Sequence, residues 1–273
     1  MTQYRPPLLN LPPVVKNLLI INALFFLGSY VLSGKLGVNI YDYLGLHLPM
    51  SDLFRPHQFI SHMFMHWDFL HLFSNMFALF MFGRQLEYVW GPKRFLIYYL
   101  ITGLGASALH LFVSWIEYSS VIDSANALIN TPNPDLFLSF VKDNYGTQNH
   151  KLMIFVNEWL DDPNNLSYIA QGKSYTAEIV RLHLNSTTAG ASGAVFGILL
   201  AYGMLFPNSE ILLLFPPIPL KAKYLVIGYG AFELYNIFQS QAGDNVAHFA
   251  HLGGMIFGFI LIKYWQKNSK RFY

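Results

Sequence analysis

AGASGAVFGILLAYGMLF, residues 189–206, is an unbroken apolar run entered through a glycine-framed serine, Ser192. A second run, VAHFAHLGGMIFGFILIKYW at 246–265, carries His251 near its start, with Gly253 and Gly254 just behind it. Both runs approach the roughly 20 residues that a helix needs to cross hydrocarbon. Polar side chains are expensive in lipid, so a potential nucleophile and a potential base placed this way point to chemistry inside a bilayer.

Composition agrees. The chain of 273 residues is 53% hydrophobic and 17% aromatic, with only 12% charged residues, and its mean hydropathy is +0.34. Soluble domains carry about 25% charged residues, so the expectation is an all-α polytopic membrane protein. The absence of cysteine excludes disulfides, Cys-ligated metals and a thiol nucleophile. A net charge of +2 gives no pointer to nucleic acid. No cleavable signal is expected: the first apolar stretch is too long for one and reads as a retained span.

Further runs at 14–32, 68–88, 95–115 and 224–238 join the first two, giving six expected spans. The fifth, 224–238, is short and holds Glu233. Pro12-Pro13 opens the first, Gly91-Pro92 parts the second from the third, and Pro207, Pro216-Pro217 and Pro219 part the fourth from the fifth. Lys and Arg set the orientation. Arg5, Lys16, Arg84, Lys93, Arg94, Lys221 and Lys223 share one side with Lys263, Lys267, Lys270 and Arg271, while Lys35 and Arg55 are the short-loop cations on the other. The positive-inside rule then expects both ends in the cytoplasm, with Tyr264 and Trp265 at the inner interface. The layout is a cytoplasmic tail at 1–13, a membrane domain at 14–265 with an outer loop at 33–67 and an outer insertion at 116–188, and a basic tail at 266–273.

In this topology the second, fourth and sixth spans run inward. Ser192 falls about one turn into the fourth and His251 one to two turns into the sixth, so both lie at similar depth near the outer face. Gly193 with Gly197, and Gly254 with Gly258, form small-residue ridges that would let these two helices approach closely. A Ser–His hydrogen bond needs such an approach; ridges of this kind also simply pack helices. On the second span, Asp68 is a natural N-cap, placing His71 and Asn75 on one face at i, i+4. They suit the donors that an oxyanion requires, or equally polar contacts between helices.

Gly190-Ala191-Ser192-Gly193, the His251-x-x-Gly254-x-x-x-Gly258 pattern and the run His62, His66, His71 and Asn75, in this order, resemble the rhomboid family of intramembrane serine proteases. The resemblance implies a six-helix bundle and a Ser–His dyad without an acidic third member. Ser192 would be the nucleophile and His251 the general base. The amides of Ala191 and Ser192, with the His71 and Asn75 side chains, would form the oxyanion hole. Gly190, Gly193, Phe196, Gly197, Gly254, Gly258, His62 and His66 would support them. The implied substrates are transmembrane segments of other proteins, cut near the outer face of a bacterial cytoplasmic membrane with no cofactor or metal; the oligomeric state is not implied. Rival readings are a client-binding relative without activity, a His-ligated metal-dependent hydrolase and a transporter; clustering of the polar groups at one depth argues against the last.

Individual residues keep alternatives. His248, one turn before His251, competes as base, but the glycines fall at three and seven residues after His251, where the family pattern has them, so by the resemblance His248 would be lining or capping. Phe196 can stack on the His251 ring and offers no hydroxyl. His62 and His66 would hold the outer loop against the second span; together with His71 they form an alternative metal-ligand set, though no HExxH-type acid accompanies them. Glu233 is a functional candidate as an intramembrane carboxylate, or a buried group bonded to its neighbours. The insertion holds two helix-like pieces, 151–160 and 175–184; gating, partner binding and a passive cap all fit it.

Overall fold

The computed structural model describes residues 11–212, 218–239 and 245–268. Arg5, Pro216-Pro217, Lys270 and Arg271, and most of both expected tails, lie outside the described residues. Helix α1 spans Pro13–Leu36, with proline in its first turn and Gly37 in the left-handed region (φ 64°) behind it. Its N-terminus has no side-chain cap of its own. Instead the buried carboxylate of Glu87 accepts from the amides of Val14 and Val15 at 2.9 and 2.8 Å. The amides left without partners in the first turn and the positive end of the helix dipole make that burial tolerable.

The outer loop holds α2 (Tyr41–Leu44), strand β1 (Leu46–His47), α3 (Gln58–Ser61) and a 3₁₀ turn, His62–Phe64. The second apolar run is broken into α4 (Phe69–Ala78), one π turn at Leu79–Gly83 and α5 (Arg84–Trp90). The π turn lies where Gly83 closes on Val15 and Phe95. Asp68 caps α4, its carboxylate accepting from the His71 amide at 2.8 Å, as its spacing suggests.

Helix α6, Pro92–Asn130, departs from the sequence reading. It runs 39 residues without interruption, about 58 Å at 1.5 Å per residue, instead of stopping at Trp115. Nothing from 116 to 130 is a proline or glycine that would end it. Three helices then follow instead of the two expected pieces: α7 (Pro134–Asn144), α8 (His150–Asp161) and α9 (Leu166–Leu184). Each opens on an asparagine whose side chain accepts backbone amides: Asn133, Asn149 and Asn165. With the far end of α6 they enclose a core of their own, centred on the fully buried Trp159 and Phe137 and including Val121, Leu128 and Phe155.

Strand β2 (Thr187–Thr188) pairs antiparallel with β1, Leu46 opposite Thr188, and clips the outer loop to the segment that enters α10 (Ser192–Leu205). After a short β3–β4 ribbon (Glu210–Leu212 with Pro219–Lys221) come α11 (Ala222–Gln239) and α12 (Asn245–Asn268). The main core draws on α1, α5, α6, α10 and α12, through Val15, Leu86, Phe95, Tyr98, Ile198 and Ile262. Outward faces stay apolar: Leu24 is 61% exposed, Phe69 68% and Phe238 84%, and such surface signals a non-aqueous surrounding. By length and composition alone, α1 (Pro13–Lys35) and α6 qualify as membrane crossings among the described residues, and α10 is a shorter apolar helix.

Candidate active site

Ser192 is the first residue of α10, not a residue one turn inside it. Gly190 explains the difference. Its φ of 138° turns the chain sharply just before the helix, a geometry that favours glycine, and its amide donates to the His62 carbonyl at 2.9 Å. The first bond of the helix runs from the Val195 amide to the Ala191 carbonyl at 3.0 Å. The Ser192 amide therefore precedes the ladder, at the positive end of α10, where backbone donors suit a developing anion.

His251 sits six residues into α12, as the sequence reading has it. Its ring stacks on Phe196, one turn along α10 from Ser192, with centroids 4.1 Å apart and planes at 7°. Its Nδ1 lies 3.1 Å from Oε1 of Glu233 on α11, close enough for an ion pair though not aligned as a hydrogen bond. The other Glu233 oxygen meets Nδ1 of His248 at 2.5 Å. His248, read from sequence as a lining or capping residue, thus engages the carboxylate. Glu233 itself is 4% exposed. These three residues place ligand-type atoms within 4.8 Å of one another.

His71 lies against Gly190. A Cβ built on that glycine would come 2.9 Å from the His71 ring and 3.7 Å from Ser192 Oγ, so the imidazole and the hydroxyl flank one point of backbone. Asn75 is buried, and its amide donates to the His71 carbonyl at 3.0 Å. One N–H of that amide remains for another acceptor.

His62 ties the outer loop to α6. Nδ1 meets the Gln58 carbonyl at 2.7 Å and Nε2 meets Ser107 Oγ of α6 at 3.0 Å. Its carbonyl accepts from the Gly190 amide at 2.9 Å. With both ring nitrogens engaged, His62 is a poor metal ligand, and the set His62–His66–His71 loses a member. The His66 carbonyl accepts from Tyr41 Oη at 2.6 Å, and its buried ring meets the His71 ring edge-on, centroids 4.9 Å apart. Burial pushes both imidazoles, His62 and His66, down to about 4, the neighbouring His71 adding to the effect at His66.

The glycines pack in an arrangement other than two facing ridges. Gly254 does press on the Gly193 backbone, and any Cβ there would collide with the Gly193 carbonyl. Gly193 and Gly197, however, face Ala106 and Thr102 of α6, and Gly258 faces Tyr98. Tyr98 Oη donates to the Gly197 carbonyl at 2.8 Å. Helix α6 thus wedges along the seam between α10 and α12, because its own small residues recur one turn apart there.

Ser192, His251 and His71 line one cavity of about 560 Å³; Asn75 is not among its lining residues. Its remaining wall includes His110, Ser114 and Glu117 of α6 and His183 of α9. His110 Nε2 meets Thr188 Oγ1 at 2.5 Å. The sequence reading missed these residues, although a histidine at 110 inside an apolar run was itself a signal.

Among family models, the Rhomboid domain matches residues 53–121 and 141–267. The gap between the two matched parts falls where α6 runs on to Asn130 and α7 begins. No curated protein matches the chain. The match over most of its length shows that the chain belongs to the rhomboid family, a family of helical bundles integral to the membrane.

Proposed function

We propose that the protein is an intramembrane serine endopeptidase that cuts transmembrane segments of other proteins near the outer face of the bilayer. Rhomboid proteins are generally serine intramembrane proteases. The observation that carries the reading here is the convergence of Ser192, His251 and His71 on one cavity. In the reaction, Ser192 Oγ attacks the scissile carbonyl as its proton passes to His251 Nε2. The carbonyl electron pair moves onto oxygen, where the Ala191 and Ser192 amides, His71 and the free N–H of Asn75 stabilise it. Collapse breaks the C–N bond, and His251 returns the proton to the leaving amine. Water, activated by the same imidazole, then releases the acyl group.

The six apolar helices α1, α4–α5, α6, α10, α11 and α12 are taken as spans, with α7–α9 outside the outer face and both termini in the cytoplasm of a bacterial cell. Helix α6 then crosses with its first half and carries α7–α9 with its second. A substrate helix must unwind locally before its peptide bond is attackable, so helix-weakening sequence is expected at the cleavage site. The cavity between α6, α9 and α10 would receive the unwound strand.

A fluorophosphonate probe tests the nucleophile. Labelling is expected on Ser192, lost in Ser192→Ala and slowed at least about 100-fold in His251→Ala. Labelling at full rate without His251 would contradict the assignment.

A further inference from the structure

We propose that Glu233 is a positioning residue for His251, giving this protein a Ser192–His251–Glu233 constellation in place of a bare dyad. The proposal rests on Ser192 and His251 being the reacting pair.

Two observations carry it. Glu233 is a buried carboxylate and the only acidic residue of a mostly apolar helix, a costly placement unless partners satisfy it. Both its oxygens face imidazole Nδ1 atoms, His251 at 3.1 Å and His248 at 2.5 Å. His248 fixes one oxygen, which holds the other toward His251.

That contact decides what His251 can do. A carboxylate accepts hydrogen bonds and cannot donate them, so it favours the tautomer with the proton on Nδ1. Nε2 is then unprotonated and free to take the Ser192 proton, while stacking on Phe196 keeps the ring plane fixed. When Nε2 is protonated during attack, Glu233 stabilises the imidazolium; the Nδ1 proton stays on His251 throughout. The loose alignment at rest fits a contact that tightens once substrate excludes water.

Three variants of the full chain, purified in detergent and assayed on one transmembrane substrate, test the proposal. Glu233→Gln is expected to lower kcat at least about 100-fold with KM within about twofold, and Glu233→Asp to regain part of the loss. Ser192→Ala must be inactive. If Ser192→Ala is inactive while Glu233→Gln cleaves at the parent rate, the positioning role is overturned and the protease reading survives. If Ser192→Ala cleaves, the protease reading itself falls. Activity abolished by EDTA and restored by zinc would overturn the proposal in favour of a metal held by Glu233, His248 and His251. Should the Glu233 variants fail to fold, ¹⁵N-histidine NMR of the parent protein decides. His251, assigned by difference against His251→Asn, is expected to carry its proton on Nδ1; a proton on Nε2 overturns the proposal.

Discussion

His251 stacks on Phe196 with one face and has Glu233 3.1 Å from its Nδ1. His62 matters in another way. It is not in the proposed chemistry, yet its carbonyl fixes Gly190 and its ring fixes Ser107. Buried His62 and His66 both have their pKa values lowered to about 4 from 6.5. A histidine with a depressed folded-state value stabilises the fold fully above pH 6.5, and that contribution is lost as pH falls from about 6.5 to about 4. For His62 alone the loss approaches roughly 3 kcal/mol. Thermal unfolding in detergent is expected to show a lower midpoint at pH 4.5 than at 7.5, with the difference reduced in His62→Gln. A midpoint independent of pH over that range would contradict the burial argument. At this scale local spacing carried the Asp68 cap, and the family resemblance carried the stacking of Phe196 on His251. The grip of Glu233 on both histidines was legible in neither, because it joins two helices whose relative rotation no single-helix pattern reveals.

At the scale of elements, α10 and α12 meet where Gly254 presses on the Gly193 backbone. A methyl group at 254 has no space, and overpacking of this kind costs about 1–3 kcal/mol or forces the helices apart. Separation of even about 1 Å between the serine and histidine helices can cost on the order of 100-fold in rate. Gly254→Ala is therefore expected to reduce turnover at least about tenfold while Gly228→Ala, at a position with open space, leaves it unchanged. Equal activity in the two variants would show that close approach at 254 is dispensable. The sequence revealed that small residues line these helices but not that α6 sits between the ridges, since a glycine announces room without saying what fills it. The length of α6 was misread for the opposite reason: its apolar signal fades at Trp115, whereas its helical signal does not.

The whole molecule joins two cores. One is the bundle of apolar helices; the other, built on Trp159 and Phe137, belongs to α7–α9 and the far end of α6. They share the cavity, which His183 of α9 and Ser192 both line. That the chain is mostly helical and belongs in a membrane was legible from its hydropathy. The second core was only half legible, because its helices are amphipathic, with a weaker apolar signal than a membrane span. The central claim is that this bundle hydrolyses a peptide bond inside the membrane using Ser192. The most direct measurement is cleavage of a labelled single-span substrate in liposomes, comparing the parent protein with Ser192→Ala at equal reconstitution. We expect cleavage near the outer end of the substrate helix by the parent and none above background by Ser192→Ala; cleavage by Ser192→Ala at the parent's rate would contradict the account.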